Sequence, residues 1–255
     1  MDYTKREPFV QEMRAGCRQV GIRSQLCSTI VAEALGSCGA DYVYLDMEHS
    51  PNDLMAVLQQ AQALAGTPAH TLVRLPTLDP VLIQQLLDFG IENIVVPMIE
   101  TVEQAKAAVE ATRYPPRGIR SMARVHRGNA YGDNADYPAQ IESRLCLIAM
   151  VETRAALERA HEIAAVDGVH GVLIGPADLS ADFGHFAAGL HPQVAEAIAN
   201  AIPRISQAGA FAGMSTGSPD AAKEWFEKGC QFVSVAGDLQ LLVEQARAFT
   251  RKVRS

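Results

Sequence analysis

Residues 71–98 read TLVRLPTLDPVLIQQLLDFGIENIVVPM, and this stretch contains the unit from which the fold can be predicted. Two short apolar runs, TLVRL (71–75) and NIVVPM (93–98), flank an amphipathic stretch, VLIQQLLDF. Asp79-Pro80 can begin a helix there, because an aspartate side chain accepts free backbone amides and proline suits the first helical turn. Gly90 can end that helix in a left-handed turn. The stretch therefore predicts a strand, a helix and a second strand.

The same alternation continues over most of the 255-residue chain. The other predicted strands are QVGI (19–22), YVYLD (42–46), LCLIAMV (145–151), GVLIG (171–175), AFAGM (210–214) and QFVSVAG (231–237). They are near-continuous apolar runs, which is typical of parallel strands that are buried on both faces. Eight strands alternating with helices predict a parallel (β/α)8 TIM barrel that occupies residues 1–255 as a single domain. A doubly wound open sheet is the competing architecture.

Charge and cysteine content exclude several classes of protein. The formal net charge is −7 and no basic tract occurs, which argues against a nucleic-acid partner. The amino-terminal segment lacks an apolar core, so no signal peptide is expected, and no apolar stretch is long enough to span a membrane. No two cysteines have CxxC spacing, and their number is odd, which favours a reducing cytoplasm over disulfides or a zinc site. They are Cys17, Cys27, Cys38, Cys146 and Cys230.

One polar segment, residues 113–144, interrupts the alternation of strands and helices. It reads RYPPRGIRSMARVHRGNAYGDNADYPAQIESR and predicts a long ordered loop. Loops of this length inside compact domains are often functional.

Charged and polar residues collect where predicted strands end, the position at which TIM barrels form their sites. Each has a structural alternative: His49 could be a structural histidine, Arg74 a barrel-end salt bridge, and the acidic residues after the fifth and sixth strands helix caps. The Met-Ser-Thr-Gly-Ser stretch after the seventh strand is either a plain turn or an anion cradle. The residues concerned are Asp46, His49, Arg74, Glu152, Asp178 and Ser215.

Two kinds of chemistry follow from these residue types. A carboxylate such as Asp46 can orient the imidazole of His49 and raise its basicity. Glu152 and Asp178 supply hard oxygen ligands, which suit Mg²⁺ or Mn²⁺ with the remaining positions left to water and substrate. The strand-end cluster therefore predicts an enzyme.

The segment LDMEHSP (45–51) resembles the D-x-E-H-x-P motif of the HpcH/HpaI family of class II, divalent-metal-dependent pyruvate aldolases. LVRLPTLDP, QQLLDFGIENIVVPMIET, RYPPRGIRS, VETRAALE and GPADLSADFG are similar to the same family, in order, from about Val20 to Phe249. The family includes 2-keto-3-deoxy-acid and 4-hydroxy-2-oxo-heptanedioate aldolases. The resemblance implies a cytoplasmic lyase on a (β/α)8 barrel, assembled as a hexamer (a dimer of trimers) with the last helix exchanged between subunits.

The resemblance also implies roles for individual residues in the reversible aldol cleavage of a 2-keto-4-hydroxy acid to pyruvate and an aldehyde. Glu152 and Asp178 would hold Mg²⁺, Mn²⁺ or Co²⁺, and the backbone amides of Ala177 and Asp178 would bind the pyruvate carboxylate. Arg74 would stabilise the pyruvate enolate. No lysine lies in the strand-end motifs, so a Schiff-base mechanism lacks its nucleophile.

The same resemblance makes His49 the base on the 4-hydroxyl, oriented by Asp46. Asp88 would reach the corresponding histidine of a neighbouring subunit. For Glu48, which the motif includes, we expect only a hydrogen bond that fixes the loop.

Two positions depart from the family pattern. Met150 stands where relatives often have a glutamine that can bind substrate or a metal-bound water. Arg23, in Gly21-Ile22-Arg23, stands where many relatives read G-L-W. We expect Arg23, with Arg124 or Arg127 of the long loop, to favour an aldehyde with an anionic group, although a surface salt bridge is the alternative.

Two other functions remain open from the sequence. The same enolate chemistry would serve oxaloacetate decarboxylation. A barrel that binds a keto acid without catalysis is the second alternative.

Overall fold

The structure is a computed structural model that describes residues 7–187 and 189–254. Eight parallel strands form a closed barrel in the order of the sequence, which confirms the (β/α)8 prediction over the open sheet. All eight predicted strands are present, with ends that differ by one or two residues. They are β1 (Gln19–Ser24), β2 (Tyr42–Asp46), β3 (His70–Arg74), β4 (Asn93–Val96), β5 (Cys146–Val151), β6 (Gly171–Ile174), β7 (Phe211–Ser215) and β8 (Phe232–Gly237).

One helix precedes β1, and the other helices lie between successive strands or after β8. They are α1 (Phe9–Arg14), α2 (Thr29–Ser37), α3 (Leu54–Leu64), α4 (Pro80–Asp88), α5 (Val102–Thr112), α6 (Tyr137–Arg144), α7 (Arg154–Glu158), α8 (Ala160–Ala164), α9 (Pro176–Asp182), α10 (Pro192–Gln207), α11 (Pro219–Glu227) and α12 (Asp238–Arg254).

The β3–α4–β4 unit forms for the reasons that its sequence suggests. Oδ1 of Asp79 accepts the backbone amides of Val81 and Leu82, at 2.7 and 3.2 Å, and so caps α4. Gly90 follows the helix with a φ of +81°, the left-handed conformation that glycine adopts without steric cost. These local signals place the carboxyl ends of β3 and β4 side by side.

The segment from residue 113 to 144 is more regular than the sequence predicts. A short 3₁₀ helix covers Arg127–Gly132, and α6 occupies the last quarter of the segment. The prediction of one long loop is therefore wrong for residues 137–144. Pro138 in the first turn of α6 is compatible with a helix start, because the amide that proline lacks would have no partner there.

The amino-terminal helix closes the end of the barrel where the strands begin. Phe9, Val10 and Met13 of α1 are buried among interior side chains that include Tyr42 and Phe232. The ring of Phe9 meets that of Tyr42 edge to face, with centroids 5.5 Å apart. The interior is filled by side chains at this end, as is usual for a TIM barrel.

Glycine leaves room for one of these rings. A Cβ added to Gly213 on β7 would lie 2.1 Å from a ring carbon of Phe232 on the neighbouring β8. Only a residue without a side chain fits beside this phenylalanine.

Three further features bear on the sequence predictions. No helix in residues 7–187 and 189–254 is both long and apolar enough to cross a membrane. All five cysteines are free thiols. The helix α12 has one buried residue, Asp238, whereas its apolar side chains Leu239, Leu242 and Phe249 are exposed in the single chain.

Candidate active site

A cavity of about 710 Å³ lies at the carboxyl ends of the strands. Its wall contains predicted site residues from four strands, β1, β3, β5 and β7. Others come from the segments that follow β2 and β6. These residues are Arg23, His49, Arg74, Met150, Ala177, Asp178 and Ser215. Asp46 and Glu152 are buried directly behind this surface. The structure therefore brings nine of the ten predicted site residues to one rim of the barrel.

The centre of the site is an ion pair between β2 and β3. Asp46 and Arg74 are partners in the strand register, and Arg74 donates from Nε to Oδ1 at 3.0 Å and from Nη2 to Oδ2 at 2.7 Å. Asp46 is 0% exposed. Burial alone would raise the pKa of Asp46, but the hydrogen bonds and charge of Arg74 outweigh it, so that the pKa is lowered from its ordinary value. The pair holds the guanidinium in one orientation.

Glu48 is a second carboxylate on Arg74. Nη1 of Arg74 lies 2.6 Å from Oε2 of Glu48, and Nε2 of His49 lies 3.8 Å from the same oxygen. Burial raises the pKa of Glu48, although the charges of Arg74 and His49 oppose this. The expectation that Glu48 only fixes the loop is wrong, since its carboxylate pairs with Arg74 and lies beside the imidazole.

The carboxylate of Asp46 contacts the backbone amide of His49 and not its imidazole ring. Its Oδ1 accepts the amides of Glu48 at 3.0 Å and of His49 at 3.3 Å. The side chain of His49 is 57% exposed to the cavity and solvent. We expected Asp46 to orient the imidazole directly; in this geometry Asp46 shapes the turn, and Glu48 is the carboxylate nearest to the ring.

Glu152 and Asp178 bring two more carboxylates to the site. Glu152 is 2% exposed and accepts the Met98 amide at 3.0 Å, whereas Asp178 lies exposed in the first turn of α9. Burial raises the pKa of Glu152 to about 7, and the negative charges of Glu48 and Asp178 add to the increase. A Cβ on Gly175 would lie 2.8 Å from Oε1 of Glu152, so this glycine keeps the space beside that oxygen open.

This arrangement fits a divalent cation with oxygen ligands. Glu48, Glu152 and Asp178 repel one another, and the cation among them, Arg74, is already paired with Asp46 and Glu48. Within residues 7–187 and 189–254, no three acidic, histidine or cysteine side chains come close enough to form a complete metal site. Glu152 and Asp178 could supply at most two of the ligands of such an ion, which often keeps several positions for water and substrate.

Met150 and the start of α9 complete the pyruvate side of the predicted site. Sδ of Met150 lies 3.8 Å from Nη1 of Arg74, and the side chain is buried. It supplies a soft, weakly accepting contact where an amide would supply a strong one. The residues Ala177 and Asp178 line the cavity in the first turn of α9, where backbone amides lack helical partners.

Three predicted residues lie apart from the cavity in this chain. Asp88, at the end of α4, is paired with Arg120 at 2.7 Å. Arg127 donates to the carbonyl of Phe89, and neither it nor Arg124 lines the cavity. The expected contribution of these two arginines to an anion site beside Arg23 is therefore wrong for the single chain.

The sequence reasoning also missed Tyr44, which lines the cavity next to Arg74. A signal for it was available. Side chains alternate along a strand, so that Tyr42, Tyr44 and Asp46 of YVYLD lie on one side of the sheet. Once Asp46 is placed in the site, Tyr44 belongs on the same face.

Comparison with known proteins agrees with this geometry. The family model HpcH/HpaI aldolase/citrate lyase matches residues 19–245. A 4-hydroxy-2-oxo-heptane-1,7-dioate aldolase of Klebsiella pneumoniae is 42% identical over 245 residues, which cover 96% of this chain and 92% of the relative. A pyruvate aldolase of Rhizobium etli is 40% identical, with 96% of each chain covered. The crystal structure of an HpcH/HpaI aldolase/citrate lyase family protein from Burkholderia cenocepacia superposes with a TM-score of 0.91 at 34% identity, over 96% of this chain and 98% of that one. This chain therefore belongs to the HpcH/HpaI aldolase/citrate lyase family.

Proposed function

We propose that the protein is an aldehyde-lyase that cleaves a 2-keto-4-hydroxy acid reversibly to pyruvate and an aldehyde. The observation that carries the proposal is the buried Asp46–Arg74 pair beside the carboxylates of Glu152 and Asp178, in a chain about 40% identical to proteins named as aldolases of this type. Breaking the carbon–carbon bond leaves an enolate, and the guanidinium of Arg74, together with a divalent metal held by Glu152 and Asp178, would place positive charge where that negative charge develops.

Glu152 and Asp178 are the residues that would hold a divalent metal, Mg²⁺, Mn²⁺ or Co²⁺. When bound, such an ion acts as a Lewis acid toward the keto acid. The carboxylate of Glu152 must be deprotonated to serve as a ligand, whereas its burial, followed by the charges of Glu48 and Asp178, raises its pKa to about 7.

Arg74 and the start of α9 position the keto acid. The guanidinium of Arg74 is held by Asp46 and Glu48, so it can donate to the enolate oxygen without first losing side-chain freedom. The backbone amides of Ala177 and Asp178 bind the carboxylate at the helix start.

His49 acts on the proton of the 4-hydroxyl. As a base in cleavage it takes that proton, and as an acid in synthesis it returns the proton to the aldehyde oxygen. Oε2 of Glu48 lies 3.8 Å from Nε2 of this imidazole. In an assembled enzyme Asp88 of a neighbouring copy would add a second carboxylate near this ring.

We infer a homo-oligomer, a hexamer built as a dimer of trimers, in which α12 is exchanged between copies. The apolar residues Leu239, Leu242 and Phe249 along α12 support this, because such side chains are normally covered in the functional state. The free thiols suit the reducing cytoplasm.

Pyruvate release from a panel of 2-keto-4-hydroxy acids tests the proposal. We expect release to stop when EDTA removes divalent metal and to return with added Mn²⁺ or Mg²⁺. Cleavage that persists without metal would contradict the proposal. Oxaloacetate belongs in the same panel, since faster turnover of oxaloacetate than of every aldol substrate would make decarboxylation the main activity.

A further inference from the structure

The hydroxyl of Tyr44 is buried without a hydrogen-bond partner. Tyr44 is 2% exposed, yet it lines the active-site cavity, and Arg74 lies over its ring at 5.7 Å from the centroid. Buried tyrosine hydroxyls normally find a partner, since leaving one unpaired costs free energy. A polar atom of this kind in a cavity wall is explained most simply by a partner that enters the cavity.

Arg23 is the second unpartnered group, and it is the strand neighbour of Tyr44. The two residues are partners in the β1–β2 register, and both line the cavity. Nε of Arg23 is buried without a hydrogen bond, and within residues 7–187 and 189–254 no carboxylate lies in salt-bridge range of its guanidinium. Arg74, by contrast, has two carboxylates. Arg23 is therefore a cation without a counterion in a partly desolvated place, which is costly unless an anion binds there.

The position of these groups relative to Glu152 and Asp178 follows from barrel closure. In a closed barrel of eight strands β1 lies opposite β5, and β2 lies opposite β6. Eight strands about 4.8 Å apart and tilted by about 36° place opposite backbones roughly 15 Å apart. Long side chains from both walls shorten this gap. A molecule whose keto-acid end is held from β5 and β6 thus directs its other end toward β1 and β2.

We propose that Arg23 and Tyr44 form a subsite that binds an anionic group, a carboxylate or a phosphate, at the far end of the aldehyde half of the substrate. This inference rests on the proposed aldolase function and assigns the selectivity of that site to two residues. The guanidinium of Arg23 donates to two oxygens of the anion, and the hydroxyl of Tyr44 donates to one.

The test compares matched aldehydes in the metal-loaded enzyme, with pyruvate as the donor. The pairs are 4-oxobutanoate with butanal, and glyceraldehyde 3-phosphate with glyceraldehyde. We expect kcat/KM to be higher for the anionic member of at least one pair. Arg23→Leu should lower the ratio of kcat/KM for the anionic aldehyde to that for the neutral aldehyde about tenfold to 100-fold, the range for a hydrogen bond from a charged donor. Tyr44→Phe should lower the same ratio about threefold to tenfold, the range for a neutral donor. Arg23→Lys should recover part of the ratio, because it keeps the charge but loses the fork.

Two readouts separate this role from a structural one. The melting temperature of Tyr44→Phe should not fall, because the hydroxyl has no partner in the free protein. Arg124→Leu removes an arginine that does not line the cavity and serves as the matched control. A ratio that is unchanged in Arg23→Leu for both pairs, or that falls in Arg124→Leu instead, would overturn the inference.

Failure of the proposed function gives a different result. Exchange of the pyruvate methyl protons with solvent deuterium, followed by NMR without any aldehyde, reports enolate formation alone. Exchange in the wild type together with an unchanged ratio rejects only the Arg23–Tyr44 subsite. No metal-dependent exchange in the wild type rejects the aldolase itself.

Discussion

Protonation of His170 should destabilise the protein below neutral pH. His170 lies just before β6, and its Nδ1 accepts the backbone amide of Leu147 at 3.1 Å, which requires the neutral ring with its proton on Nε2. Burial lowers the pKa of His170 to about 4, and the positive charges of Arg14 and Arg113 add to the decrease. In the unfolded chain the same ring titrates near its ordinary value of 6.5.

The sign and size of the effect follow from these two pKa values. Between pH 6.5 and pH 4 the unfolded state binds more protons than the folded state, so lowering the pH favours unfolding. The contribution to stability is present above pH 6.5 and is lost as the pH falls. The expected loss is about 2 kcal/mol between pH 7 and pH 5, and about 3 kcal/mol once both states are protonated.

Urea unfolding at pH 7 and pH 5, at one protein concentration, measures this loss. The matched variant is His170→Asn, whose amide oxygen can accept the Leu147 amide but which does not titrate. The free energy of unfolding of the wild type should fall by about 2 kcal/mol more than that of the variant over this range. Other groups titrate in both proteins and cancel in the comparison. An equal decrease in the two proteins would refute the assignment.

Two further predictions concern catalysis and packing. His49→Asn should lower kcat for aldol cleavage by about 10² to 10⁴-fold, because the base on the 4-hydroxyl is lost, while isothermal titration still detects Mn²⁺ binding; unimpaired cleavage would exclude His49 as that base. Gly213→Ala should destabilise the barrel by about 1–3 kcal/mol, since its Cβ would meet the ring of Phe232, and Gly213→Ala combined with Phe232→Leu should recover part of the loss. A melting temperature that is unchanged in Gly213→Ala would show that the ring can move aside.

The strands were predictable because parallel strands buried on both faces leave uninterrupted apolar runs in the sequence. The rim residues followed, since Asp46 and Arg74 end such runs and a barrel brings all strand ends together. The helix α6 was missed because its segment is polar and its buried side is marked by only two residues, Tyr137 and Ile141. Local pattern carries little information where packing against the rest of the chain decides the structure.

The sequence predicted which residues belong to the site better than it predicted the contacts that their side chains make. The direction of Glu48 depends on how the turn after β2 folds around Asp46, and no periodicity fixes side chains in a turn. The pairing of Asp88 with Arg120 joins α4 to the segment after α5, a contact that spacing alone cannot indicate. The lack of hydrogen-bond partners at Nε of Arg23 and the hydroxyl of Tyr44 depends on three-dimensional contacts that the sequence does not specify.

The closure of the barrel by α1 has a consequence for the order of events in turnover. Phe9, Val10 and Met13 fill the end where the strands begin, so the cavity is reached from the opposite rim. Both products must then leave through the same opening. The product bound deeper in the cavity cannot leave until the product nearer the opening has left. Glu152 is buried, whereas His49 is exposed at the mouth. A keto acid held at Glu152 would depart last, and product-inhibition kinetics would report this as a compulsory sequence of release.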